Sequence, residues 1–160
     1  MFLAKFWLCP PCKSQNENCC SISFKTERFD YKSELPENIN AGNRFYGKDV
    51  AEFIVQQLGS VGLRADYSDE DWGWPVFSVK GQVPIFQVAV YNLAEYRGAT
   101  ERGIPEWGLW IQAYETRKVL GIIAKRHEVP VPSEVHMAIK SSIRAAGAVP
   151  EQWTGGSSGA

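Results

Sequence analysis

The stretch from Asp69 to Leu93 constrains this chain more than any other part of it. It reads Asp-Glu-Asp-Trp-Gly-Trp-Pro-Val-Phe-Ser-Val-Lys-Gly-Gln-Val-Pro-Ile-Phe-Gln-Val-Ala-Val-Tyr-Asn-Leu. Two β-rich runs, Trp72 to Lys80 and Val83 to Leu93, flank a short break at Gly81, which predicts a hairpin. Alternate strand residues share a face. Phe77 and Val79 on the first run, with Phe86, Val88 and Val90 on the second, are expected to meet a helix and form the core. Val76, Ser78 and Lys80 then lie opposite, with Ile85, Gln87, Ala89 and Tyr91. Pro75 cannot donate a ladder hydrogen bond, so its segment is an edge or a bulge. A bulge there would change the face that Trp74 occupies.

The other elements follow from periodicity. Cys20 to Asp30 alternates, with Ile22, Phe24 and Thr26 on one face, and predicts a half-buried strand. Residues 31–46 carry Pro36, Asn38, Asn40, Gly42 and Asn43 and read as loop. Gly47 to Gly59 is the clearest helix: Val50, Phe53, Ile54, Gln57 and Leu58 fall on one stripe. Leu63 to Tyr67 is a short strand. Ala94 to Glu106 is a mixed-charge connection. Trp107 to Glu115 is a strand with Leu109, Ile111 and Ala113 on one side and Trp110, Gln112 and Tyr114 on the other. Arg117 to His127 fits helix and strand equally. Ser133 to Ala146 is a second helix, with Ser133 as its cap and a stripe of Val135, Ala138, Ile139, Ser142, Ile143 and Ala146.

Helices too few to cross over between successive strands argue against an alternating parallel sheet. The expected class is α+β: an antiparallel sheet of about five strands with two or three helices packed on one face. Residues 1–19 read as a leader outside the core, residues 20–153 as a single α+β domain, and residues 154–160 as a flexible tail of Gly/Ser composition.

At 160 residues, with 44% hydrophobic and 12% aromatic content, the chain is long and apolar enough for one core without a metal or disulfide. A formal net charge of −1 argues against a whole-chain field that gathers nucleic acid or anionic membrane. No apolar run approaches a bilayer span. The apolar start is interrupted by Lys5 and lacks a small-residue cleavage site, so the expectation is cytoplasmic. Cys9, Cys12, Cys19 and Cys20 are spaced C-x2-C-x6-C-C, too tight for two zinc-ligand pairs around a loop. Cys9-Pro10-Pro11-Cys12 has the look of a redox pair, but loop-forming residues follow it rather than a helix. No metal and no cofactor are expected.

Arg44 to Ala51, the helix after it and Glu70-Asp71-Trp72-Gly73-Trp74 carry a resemblance. Residues 44–115 resemble small uncharacterised bacterial proteins with a Glu-Asp-Trp-Gly-Trp signature, of the type carried on mobile gene cassettes. The resemblance implies a single α+β domain. It implies no activity and no catalytic residue.

The sharpest chemical feature is the acid–aromatic cluster. Asp69, Glu70 and Asp71 precede Trp72 and Trp74, and Trp110 and Tyr114 share the polar-side parity of a later strand. If the second sheet face is open, Glu70, Asp71, Trp72, Trp74, Trp110 and Tyr114 would form a ligand-binding surface. Aromatic faces attract cations by about 0.5–2 kcal/mol per contact. That surface suits a cationic or aromatic small molecule, or a basic segment of a partner protein. The plainer reading makes both tryptophans packing residues and the acids a solvated turn. A hydrolase using Glu70 or Asp71 as base is the enzyme alternative, though consecutive acids rarely reach distinct environments. His127 and His136 sit in no metal or catalytic pattern, and no phosphate loop, nucleophile elbow or dinucleotide fingerprint occurs. Arg117, Lys118, Lys125, Arg126, Lys140 and Arg144 read as ordinary charged surface, so no nucleic acid is expected. The resulting expectation is a non-enzymatic binding or interaction module that forms a homodimer through an exposed sheet face or edge.

Overall fold

The computed structural model describes residues 21–93, 103–119 and 123–153. The expectations for the leader and its four cysteines, for most of the connection after Leu93 and for the Gly/Ser tail lie outside the described residues. The strands are β1 (Ser21–Lys25), β2 (Ala65–Tyr67), β3 (Trp74–Ser78), β4 (Ile85–Asn92), β5 (Glu106–Val119), β6 (Ile123–Val129) and β7 (Glu151–Gln152). Among the described residues two α-helices join them, α1 (Lys48–Ser60) and α2 (Ser133–Ala145). The class is α+β, as expected. The sheet has seven strands among the described residues rather than about five, in the order β2-β3-β4-β5-β1-β7, with β6 also beside β5. Every pairing is antiparallel.

β5 is the long central strand. One edge pairs with β4 from Trp107 to Tyr114. The other edge is shared: Glu106 to Trp110 pairs with β1, and Ala113 to Val119 pairs with β6. The described parts of the segment that fitted helix and strand equally, residues 117–119 and 123–127, are therefore strand, because β5 runs on past Tyr114 and β6 pairs with that extension. Past Tyr114, β4 has ended, so the β5–β6 ribbon projects beyond the sheet.

The inner face carries Trp107, Leu109 and Ile111 of β5 beside Phe86, Val88 and Val90 of β4. Val50, Ile54 and Leu58 of α1 and Val135, Ile139 and Ile143 of α2 close over them in the same cluster. Burying a side chain of this size contributes about 1.5–3 kcal/mol, so this one layer supplies most of the drive to fold. Both helices form where the periodicity placed them. Ser133 is the first helical residue rather than the cap; Pro132 holds the cap position, without a side-chain hydrogen bond.

The face of β3 corrects the sequence reading. Val76 is fully buried, whereas Phe77 is 37% exposed. Val76 stands opposite Val88 and Trp74 opposite Val90, so β3 turns Trp74 and Val76 inward and Phe77 outward. Both parities of this strand are apolar, so alternation alone does not choose between them. The register against β4 does, because residues directly opposite share a face. The parities of β1, β4 and β5 are as expected.

Glycine is required where backbone and side chain meet most closely. A Cβ on Gly108 would lie 2.8 Å from Cδ2 and 3.2 Å from Cγ of Leu93, a side chain with no exposure. Gly108→Ala is expected to lower the unfolding free energy by about 1–3 kcal/mol through overpacking. Urea denaturation measures it, and an unchanged midpoint would mean that Leu93 moves aside without cost.

Candidate functional site

The acid–aromatic turn is built by a hydrogen-bonded closure. Glu70 and Gly73 exchange two backbone hydrogen bonds, each 3.1 Å, leaving Asp71 and Trp72 at the tip. Gly73 has φ +141, and a Cβ there would crowd the Val90 carbonyl oxygen at 3.3 Å. The turn is held from behind by Asn40, a fully buried polar residue. The Asn40 side-chain amide donates to Asp69 Oδ1 at 2.6 Å and to the Glu70 and Gly73 carbonyls at 3.0 and 3.2 Å. Its backbone N–H also donates to Asp69 Oδ1 at 3.0 Å, and its Oδ1 accepts from the Phe45 N–H at 2.8 Å. Asn40 sits at φ 49, ψ 47, a left-handed conformation that asparagine tolerates better than most residues.

This arrangement separates the acids by role. Asp69 is occupied with Asn40. The Glu70 carboxylate accepts from the Ser68 hydroxyl at 2.9 Å and stays exposed. Asp71 is exposed, its carbonyl oxygen accepting from the Asn43 side chain.

The tryptophans are separated too. Trp72 is 39% exposed and rests against Tyr91, ring centroids 6.4 Å apart; Tyr91 in turn meets Trp153 at 6.0 Å. Trp74 is 4% exposed on the other side of the sheet. Its indole N–H donates to the Phe45 carbonyl at 2.9 Å and its ring tilts against Tyr67. The packing alternative therefore describes Trp74 and not Trp72.

Trp110 and Tyr114 are half-buried on the same outer parity as Phe77, Ile85 and Gln87. An open groove of about 450 Å³ crosses this face, lined by Glu70, Trp72, Phe77, Ile85, Tyr114 and Arg126 among others. Three of the six candidate residues thus come together in it; Asp71, Trp74 and Trp110 do not line it. Phe77 and Arg126 were missed. Phe77 was lost with the parity of β3. Arg126 reaches the outer face because β6 is a strand, where it shares a face with Glu128, the residue opposite Tyr114.

The groove runs across the strands. β4 and β5 lie between its acidic end, Glu70 in the turn before β3, and its basic end, Arg126 of β6. Tyr114 lies toward the basic end, its hydroxyl donating to Gln112 Oε1 at 2.9 Å. Burial raises its pKa above the ordinary phenol value, the Glu128 carboxylate raises it further, and the Arg126 guanidinium opposes both. Among the described residues no group of three or more His, Cys, Asp or Glu side chains is placed to hold a metal ion. None of the described helices is long and apolar enough to cross a membrane.

These features define an α+β sheet domain with one face closed by helices and an aromatic, dipolar groove on the other. Comparison with protein-family models, with curated proteins and with solved structures finds no match to this chain.

Two outcomes test the site. Asn40→Ala removes the three amide donations to the turn, leaves the Phe45 N–H without its acceptor and puts alanine at a left-handed φ of 49, so it is expected to cost about 2–4 kcal/mol in chemical denaturation; a loss below a few tenths would show that water replaces the amide freely. Tyr114 should ionise above the usual tyrosine pKa of about 10, with Glu128→Gln lowering that value and Arg126→Gln raising it. Because the unfolded chain releases this proton first, stability falls as pH rises past the unfolded value. Absorbance titration against Tyr114→Phe reads the ionisation.

Proposed function

We propose that this protein is a non-enzymatic interaction module that binds a short segment of a partner protein across the outer face of its sheet. The observation that carries the reading is the dipolar groove: Trp72, Phe77 and Tyr114 between Glu70 at one end and Arg126 at the other. Sites that take a small molecule enclose most of its surface. A trough on a sheet face covers one side only, which suits a chain laid along it. The fitting segment has a Lys or Arg toward Glu70, an aromatic or aliphatic residue over Trp72 and Phe77, and an Asp or Glu toward Arg126. Aromatic side chains and arginine are the residue types that dominate binding energy at interfaces.

The hydrolase alternative has less support. Glu70 is the only carboxylate among the groove residues named, its partner is a serine hydroxyl within the same turn, and no histidine lines the groove. Acid–base hydrolysis needs two titratable groups in contrasting environments around one substrate.

The test is a fluorescence titration with short peptides of the form basic–aromatic–acidic, against peptides of reversed order. Saturable quenching is expected with the first set, with affinity about tenfold lower in Trp72→Ala, a loss of about 1.4 kcal/mol. Glu70→Gln should weaken the same peptides and leave reversed ones unaffected. Equal binding of both sets, or binding indifferent to both substitutions, would overturn the proposal. Quenching by cationic small molecules alone would assign the groove to a small ligand instead.

A further inference from the structure

β6 pairs with β5 on one edge, and among the described residues no strand pairs with its other edge. A strand of seven residues thus presents a row of backbone donors and acceptors to whatever can join it. Natural edges of this kind are often guarded by charge, and β6 is charged: Lys125, Arg126, His127 and Glu128 follow one another, all exposed. The order of those charges selects a partner.

We propose that β6 pairs antiparallel with β6 of a second copy, centred on His127, joining the two sheets edge to edge. A two-fold axis normal to the sheet requires one residue to face its own copy. With His127 at that position, Arg126 of each chain faces Glu128 of the other, giving two equivalent pairs of opposite charge. Lys125 then faces Val129. No neighbouring register does as well. Centred on Arg126, two guanidinium groups meet and Lys125 faces His127. Centred on Lys125, two ammonium groups meet and Arg126 faces Ala124. Centred on Glu128, two carboxylates meet and Arg126 faces Pro130, which carries no opposite charge. Opposite charges directly across a strand pair stabilise it and like charges destabilise it, so the pattern favours one register of one partner.

The outer face supports the same choice. Arg126 and Glu128 share that face, and Tyr114 feels the charge of both. Edge pairing would bring the basic ends of two grooves to the seam, so a dimer would carry the grooves on one continuous sheet. This inference goes beyond the peptide-binding reading; the two share Arg126, and sedimentation without peptide reads the dimer by itself.

Sedimentation equilibrium on the full chain tests it. The expected result is a concentration-dependent dimer. Arg126→Glu and Glu128→Arg, each alone, should weaken dimerisation about tenfold or more, and the double substitution R126E/E128R should restore it, with circular dichroism confirming the sheet in each. Register is read by crosslinking with copper phenanthroline in a background where the four native cysteines are serine. His127→Cys should give a covalent dimer, Lys125→Cys alone should not, and Lys125→Cys with Val129→Cys should. A monomer at all concentrations, a double variant that stays dissociated, or crosslinking through Lys125→Cys alone would overturn the proposal. So would a monomer retained by a polyanion column, which would make the β5–β6 ribbon a basic arm instead.

Discussion

The hydrogen-bond ladder of β5 is the constraint that the other strands and both layers answer to. It is 14 residues long, and each of its edges is used. β4 takes one edge, and β1 and β6 divide the other between them. That division explains how strands from opposite ends of the chain enter one sheet: β1 and β7 come from the described chain's two ends, and β1 reaches the centre only because β5 leaves half an edge free. A backbone donor buried without a partner costs a few kcal/mol, so a central strand this long is tolerable only where neighbours follow it. Where β4 ends they follow on one side only, and the ribbon continues as an arm with its outward groups exposed to solvent.

Alternation along β5 then produces two unlike surfaces. Trp107, Leu109, Ile111 and Ala113 face the helices and are buried. Trp110, Gln112 and Tyr114 face the other way and stay half-exposed. The two tryptophans of the entering turn are split by the same geometry. Gly73 lets the backbone pass close to Val90, after which Trp74 is drawn inward beside Tyr67 while Trp72 remains at the tip over Tyr91. The outer groove is therefore a by-product of sheet parity: rings that alternate with the core, flanked by Glu70 of the turn before β3 and Arg126 of β6.

Asn40 ties this outer feature to the interior. Its amide is buried and its partners are the backbone and carboxylate of the turn itself. A buried polar group is stable only when satisfied, so the loop before α1 and the turn before β3 must form together. The acid that looked free in the sequence, Asp69, is one of the groups that satisfies it. Neutralising that carboxylate in a peptide would suggest nothing of its role, since the partner lies 29 residues upstream.

Local pattern by itself determined much of this. The helical stripes of Val50 to Leu58 and Val135 to Ile143, the hairpin around Gly81, the alternation of β1, β4 and β5, and the antiparallel α+β class were all legible, because period and turn chemistry act over a few residues. The side on which Trp110 and Tyr114 emerge was legible for the same reason. The inward turn of Trp74 and Val76, the strand state of Ile123 to Val129, the capture of Asp69 by Asn40 and the arrival of Arg126 beside Tyr114 were decided only by tertiary structure. Each depends on which residue stands opposite which across the sheet, or on a contact between distant loops. A strand apolar on both parities, or a segment equally fit for helix and strand, takes its state from the neighbour it pairs with, and that neighbour is chosen by the packing of the whole chain.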